Sequence, residues 1–270
     1  MNPPDELVIR VYGPATAPTL IYLPGLHGDW SLGVSLRRAL QGQVRWVEFC
    51  YARSTQLTLA DYAQAVRTAL RREGIEHGWL LAESFGSQVA WELLAHPEAE
   101  PRLEVQGLIL AGGFVRYPWM TGVRMVEWLV RNLPNAAVKV LLWGYSRYAG
   151  FRHRHAPEVR ESLEEFVRRR LEPGDREAMA RRLELIRGAD PRLVARTTPV
   201  PVWALAGFWD PVVPWWPVSR WLRRECPRCQ GREMLWGADH NVLATQPDQA
   251  AGVIRRWMAL SGGEQLRAES

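Results

Sequence analysis

Residues 78–96, "GWLLAESFGSQVAWELLAH", decide the fold. An apolar run from Gly78 to Ala82 passes through a cramped Glu83-Ser84-Phe85-Gly86 corner into a stretch whose apolar residues recur at helical spacing. A strand therefore feeds a helix with almost no connecting loop. A serine ahead of an apolar helix is most often an N-cap, its hydroxyl accepting from an orphan amide. The rest of the chain has to separate a cap from a chemical role.

The strand-then-helix rhythm extends in both directions. "LVIRVYG" (7–13), "TLIYLPG" (19–25), "VRWVEFCY" (44–51), "GLILAGG" (107–113), "VPVWALAG" (200–207) and "REMLWGAD" (232–239) are short, β-branched or aromatic-rich and bounded by turn residues, as strands are. Between them, helices are expected over 31–41, 58–73, 85–95, 216–224 and 247–260. In the second of these Leu59, Tyr62, Ala63, Val66 and Leu70 share one face. Alternating strands and helices predict an α/β protein: a mostly parallel central sheet with helices on both faces and ligands at the strands' carboxyl ends.

Residues 114–190 break that rhythm with consecutive helical segments interrupted at Pro134, Pro157 and "EPGD" (172–175). We expect a core formed by 1–113 and 191–262, an inserted helical lid over 114–190, and a small polar tail, 263–270, that is disordered. The insertion is rich in aromatics (Tyr117, Trp119, Trp128, Trp143, Tyr145, Tyr148), which together predict an apolar pocket beneath it.

With 270 residues and 47% apolar composition, the chain can bury one large core. Its net charge is +5, from thirty-three Arg and one Lys, Lys139, against twenty-nine acids. The insertion carries the whole excess, fifteen basic against ten acidic residues. A solvated helix face accounts for this, although a basic segment also admits an anionic substrate, an acyl carrier or a membrane surface. No nucleic-acid motif accompanies the charge. The N-terminus lacks a signal-peptide pattern and no apolar run approaches about 18 residues, so a cytoplasmic location is expected.

Three cysteines give no disulfide framework. Cys226 and Cys229 have the spacing of a metal or redox pair, but no second pair completes a site, and they follow a helix where a redox pair would open one. His153 and His155 lack ligand partners nearby in the sequence. Neither metal nor cofactor is expected.

The corner at Ser84 reads Ala82-Glu83-Ser84-Phe85-Gly86, close to the G-x-S-x-G signature of a nucleophile elbow, with Ala in place of the first Gly. A serine hydroxyl attacks poorly until a base takes its proton, and that base needs a carboxylate to fix its tautomer. Two late strands run directly into "GFWDPVVP" (207–214) and "GADHNVL" (237–243), placing Asp210 and His240 at the same sheet edge as Ser84.

Together with "LPGLHGD" (23–29), these motifs resemble the α/β-hydrolase superfamily over nearly the full length of the chain, and within it a branch of esterases, lipases, thioesterases and acyltransferases. The resemblance implies Ser84 as nucleophile, His240 as base and Asp210 as its acid. The backbone N–H of Phe85 would be one oxyanion donor. The second is Leu26 or Asp29, depending on whether Pro24-Gly25 or His27-Gly28 takes the place of the usual His-Gly. Leu26 is preferred because Pro24-Gly25 directly follows the strand. His27, Trp119 and Trp215 are candidate pocket residues, Asp190 a fallback acid, Asp239 structural, and Glu83 without assignment. The implied reaction is hydrolysis of an ester or thioester with an apolar acyl or aryl group through an acyl-enzyme. An acyltransferase on the same residues and a non-catalytic binder of hydrophobic ligands are the alternatives; the sequence leaves the oligomeric state open.

Overall fold

Along β2 (Thr19–Leu23) successive side chains point to opposite faces, and every one of them is buried. Leu20 and Tyr22 join one hydrophobic cluster, Ile21 and Leu23 the other. A strand covered on both faces has no polar side, so its sequence reads as an unbroken apolar run. In the computed structural model this pattern sets up two cores, one on each face of the sheet. The structure describes residues 6–134, 136, 137, 140, 143, 144, 147, 164–170 and 172–268. Lys139, Tyr145, Tyr148, His153, His155 and Pro157 lie outside the described residues.

The chain runs β1 (Val8–Tyr12), β2, α1 (Val34–Ala39), β3 (Arg45–Cys50), α2 (Leu59–Arg72), β4 (His77–Glu83), α3 (Gly86–Ala95) and β5 (Glu104–Ala111). Then follow α4 (Met120–Asn132), α5 (Asp175–Gly188), α6 (Arg192–Thr197), β6 (Val202–Gly207), α7 (Trp215–Glu225), β7 (Cys229–Leu235), α8 (Val242–Thr245) and α9 (Pro247–Ala268). The last helix covers 263–268, part of the stretch expected as a disordered tail.

The seven strands lie in the order β1-β3-β2-β4-β5-β6-β7. All neighbours are parallel except the edge pair β1–β3. The chain leaves β2 towards β3 and later returns to its other side as β4. Connections on the two sides of such a switch diverge and leave a crevice at the carboxyl ends of the strands. The loop after β2 and the corner after β4 flank that crevice.

On one face α2 and α3 pack over Ile21, Val47, Leu80 and Leu108; on the other, α1 and α9 pack over Leu20, Trp46, Trp79 and Trp203. Each large apolar side chain so buried contributes about 1.5–3 kcal/mol. Thr58 starts α2 through a reciprocal capping box with Asp61, whose amide donates to Thr58 Oγ1 at 3.2 Å while its carboxylate accepts from the Thr58 amide at 2.8 Å.

Close approach governs the corner after β4. A Cβ on Gly86 would lie 2.2 Å from the Leu23 carbonyl oxygen, an overlap with backbone that cannot rotate away. Ala82 instead buries its methyl in the α3-side core, which accommodates the departure from glycine there. Gly86→Ala is therefore expected to cost at least about 1–3 kcal/mol, read as a lower urea midpoint at unchanged m-value.

Candidate active site

Ser84 has φ 47°, in the left-handed region, and is the single non-glycine residue with positive φ among those described. This conformation folds β4 back into α3. Its amide donates to Ala111 O at 3.1 Å, and its carbonyl accepts from the Ser87 amide (3.0 Å) and the Ser87 hydroxyl (2.6 Å). The Ser87 hydroxyl in turn accepts from the Phe114 amide at 3.2 Å, joining the corner to the end of β5. Helix α3 has no side-chain cap. The Ser84 hydroxyl faces His240 instead, with Oγ 3.0 Å from Nε2, so the N-cap reading does not hold.

The other His240 nitrogen, Nδ1, lies 2.8 Å from Asp210 Oδ2. Asp210 is held in turn: its Oδ1 accepts from the amides of Val212 and Val213, each at 2.8 Å. A carboxylate with both oxygens engaged accepts only from a protonated Nδ1, which leaves Nε2 free to take a proton from Ser84. Burial alone would lower the His240 pKa. The hydrogen bond and charge of Asp210, with smaller contributions from Glu83 and Asp239, outweigh burial and raise it.

The loop after β2 lies against this group. Gly25 leaves room for a Cβ only 3.3 Å from Ser84 Cβ and 3.3 Å from the His27 ring. Gly28 N–H donates to Gly25 O at 2.9 Å, closing a tight turn over Leu26 and His27. The Asp29 carboxylate is used within the fold, accepting from the Ser31 amide at 2.9 Å and from Arg170. Burial would raise its pKa, but the Arg170 charge prevails and holds it below the ordinary carboxylate value.

Glu83 is 1% exposed beneath the corner, accepts from the Tyr22 hydroxyl, and lies 3.7 Å from His27 Nε2. Burial, reinforced by the Glu83 charge, pushes the Tyr22 hydroxyl far above its usual pKa, so Tyr22 remains a donor. The His27 pKa moves the other way, lowered chiefly by burial. Two imidazoles near Ser84 are thus perturbed in opposite senses, and only His240 has a carboxylate hydrogen bond that supports a proton. Sequence alone does not reveal the Tyr22–Glu83 pair, because 61 residues separate its members.

A cavity of about 300 Å³ opens on Ser84 and His240. Leu26, His27 and Glu83 line it from the core of the fold, and Tyr117, Val123, Val126, Phe166, Met179, Leu183 and Ile186 line it from segment 114–190. Segment 114–190 thus supplies much of the lining. The Tyr117 hydroxyl donates to Val212 O, tying this lining to the Asp210 loop.

His27 is in this lining, but two other expected pocket residues are not. Trp119 precedes α4 and is 60% exposed, because the helix turns Val123 and Val126 towards the cavity. Trp215, at the start of α7, lines a separate cavity of about 60 Å³ that Asp210 also lines. Asp190 binds Arg116 and Arg192 at the surface, away from His240. Asp239 accepts from the Asn241 amide at 2.9 Å and shapes its own loop. Burial raises the pKa of both Cys226, to about 11, and Cys229, which keeps the pair as unreactive thiols.

In an NMR titration the His240 ring is expected to change charge above about pH 6.5, the unperturbed value. Asp210→Asn should lower that midpoint, since burial then acts against a weaker counterweight. A midpoint unmoved by the substitution would contradict the assigned cause.

No protein-family model matches the sequence, and no curated protein matches it. Among solved structures it is similar to a thermophilic esterase from Thermogutta terrifontis (19% identity, 94% of this chain and 93% of that one, TM-score 0.72). It is also similar to a hydrolase from Pseudomonas aeruginosa (18%, 93% and 94%, TM-score 0.75) and to the enol-lactonase from Burkholderia xenovorans (18%, 94% and 96%, TM-score 0.73). Among the described residues no helix is long and apolar enough to cross a membrane. Sheet order, the corner after β4 and full-length similarity to these structures together give this chain the α/β-hydrolase fold.

Proposed function

We propose that this protein is a serine hydrolase that cleaves a carboxylic ester or thioester with an apolar acyl group. The observation that carries the reading is the continuous chain from Asp210 Oδ2 through His240 to Ser84 Oγ, with steps of 2.8 and 3.0 Å, at the floor of an apolar cavity. The esterase and the enol-lactonase that share the fold are named for ester and lactone substrates, which agrees with this reading.

In the proposed reaction His240 Nε2 takes the hydroxyl proton as Ser84 Oγ attacks the substrate carbonyl carbon. Asp210 holds the imidazolium so formed. As the tetrahedral intermediate collapses, His240 passes that proton to the departing alcohol or thiol. Water, deprotonated by His240, then attacks the acyl-Ser84 carbonyl carbon; as this second intermediate collapses, His240 returns the proton to Ser84 Oγ and the acid is released. The oxyanion of each tetrahedral intermediate needs two N–H donors. Phe85 N–H stands at the start of α3, where the helix dipole favours negative charge.

For the second donor the loop favours Leu26 over Asp29. In a trans peptide the N–H and C=O point in opposite directions. The Gly25 carbonyl is turned inward to Gly28 N–H, so the Leu26 N–H of the same peptide points out of the turn. Gly25 is also the loop residue against Ser84, while Gly28 faces Arg182.

The cavity lining supports an uncharged acyl group. Among its described residues there is no Arg or Lys, and Glu83 would repel a carboxylate. The described arginines of segment 114–190 do not line the cavity, and several pair with acids of the same segment. Arg131 and Arg187 pair with Glu127, Arg168 and Arg169 with Glu165, and Arg181 with Glu184.

Two experiments test the reading. A fluorophosphonate probe should label the wild type and leave Ser84→Ala unlabelled, and Ser84→Ala should lose at least about 10⁴-fold in p-nitrophenyl ester turnover; turnover that survives the substitution overturns the proposal. Across a series of p-nitrophenyl esters from acetate upward, Val126→Trp, which fills the cavity from a half-exposed position, should raise KM for the longest acyl chains and leave acetate turnover within about twofold. Equal effects on all chain lengths would remove this cavity as the acyl site.

A further inference from the structure

Two arginines of segment 114–190 turn inward onto the loop after β2. Arg182, on α5, is 1% exposed. Its Nη1 donates to Leu26 O at 3.0 Å, its Nε to the Tyr62 hydroxyl at 3.3 Å, and its Nη2 to Ala52 O at 3.5 Å. Arg170 Nη1 donates to His27 O at 2.8 Å and its Nη2 to the Asp29 carboxylate. Gly28, with φ +77°, lies directly beneath the Arg182 guanidinium, where a Cβ would come within 2.4 Å of its central carbon.

The remaining carbonyls of the loop are also held, Gly25 O by Gly28 N–H at 2.9 Å and Gly28 O by Tyr51 N–H at 2.8 Å. Every carbonyl from Gly25 to Gly28 therefore has a fixed direction, and two of the four directions are set by guanidinium groups. Among the described residues no carboxylate lies within ion-pair distance of Arg182. A buried cation satisfied by neutral acceptors is costly, and an apolar residue of similar volume is often as stable or more so. The Arg182 charge, with those of Arg170 and Arg53, does favour the ionised form of buried Asp175; what its fork adds beyond a charge is the direction it gives the Leu26 and Ala52 carbonyls.

We infer that Arg182, with Arg170 as a second arm, is a positioning residue: by holding the Leu26–His27 and His27–Gly28 peptides it keeps closed the turn that orients the adjoining Gly25–Leu26 peptide, so that the Leu26 N–H faces the oxyanion formed at Ser84. The inference rests on the hydrolase reading above. The planar fork is what suits it: two nitrogens of one rigid group engage carbonyls from two different loops, Leu26 and Ala52, and fix their separation. A lysine has one nitrogen and no fork. Loss of the fork frees the Leu26–His27 peptide to rotate, which loosens the Gly25–Gly28 turn and with it the Gly25–Leu26 peptide that carries the Leu26 N–H. A misplacement of about 1 Å at such a donor costs on the order of 10²-fold in rate.

The test compares Arg182→Ala and Arg182→Lys with wild type, with Ser84→Ala as control. For a p-nitrophenyl ester we expect kcat to fall about 10²-fold in Arg182→Ala and about tenfold in Arg182→Lys, with KM within about twofold. A trifluoromethyl ketone, which forms an oxyanion on Ser84, should lose affinity in parallel with kcat, while the alcohol product should inhibit as before. Added guanidinium at millimolar concentration should restore part of kcat in Arg182→Ala at constant KM.

Wild-type kcat in a folded Arg182→Lys, or a KM that rises in step with the loss of kcat, overturns the inference. So does failure of both variants to fold, which would assign Arg182 to the fold itself. If Ser84→Ala retains turnover, the hydrolase reading fails first. If turnover depends on Ser84 and the arginine variants are silent, only the positioning role fails.

Discussion

Everything at the sheet's carboxyl edge depends on one strained peptide, Ser84 at φ 47°. An L-residue pays for that conformation, and it persists because its surroundings over-determine it. The Ser84 amide is taken by β5, its carbonyl by Ser87, and Gly86 leaves no space between α3 and the end of β2. The strain has a directional result. The side chain cannot cap α3 and is carried to the top of the sheet, where loops after β6 and β7 present Asp210 and His240 at hydrogen-bonding distance. Three separate strand ends must hold register for that meeting to occur. The two cores, one on each face, supply the rigidity.

Much of this was legible in the sequence because the signals were local. β2 and β4 are buried on both faces, so their apolar runs survive as unbroken strings, and the small residues at 82 and 86 mark the sharp corner between them. Asp210 and His240 each follow a strand within five residues, so their edge of the sheet could be inferred from strand direction. What stayed hidden was long-range and polar. Arg170 reaches Asp29 across 141 residues, and no periodicity records such a contact. A charge count for 114–190 cannot tell an arginine facing solvent from one buried on a loop. Trp119 and Trp215 lie outside the cavity lining for a related reason: aromatic content names a candidate wall without saying which way a ring points.

The buried polar groups around the corner also form a graded environment. Asp210 supports a proton on His240, while burial withholds one from His27 and keeps the Tyr22 hydroxyl protonated beside Glu83. Glu83 puts a carboxylate under the corner without a hydrogen bond to His240, so it acts on the imidazole through space. Asp210 acts through contact. The geometry therefore separates orientation, which one acid performs, from background potential, which the other supplies.

The bond from the Tyr117 hydroxyl to Val212 O bears on how this chain could change over evolutionary time. The peptide groups flanking Val212 hold the Asp210 loop on one side and the cavity wall on the other. Remodelling the wall at Tyr117 would loosen a tether on the acid loop. On the hydrolase reading proposed above, selectivity and turnover are then not independently adjustable traits along that route. A lineage seeking new ligands would meet epistasis at Tyr117 and find freer variation on α4 and α5, where side chains border the cavity without touching the acid.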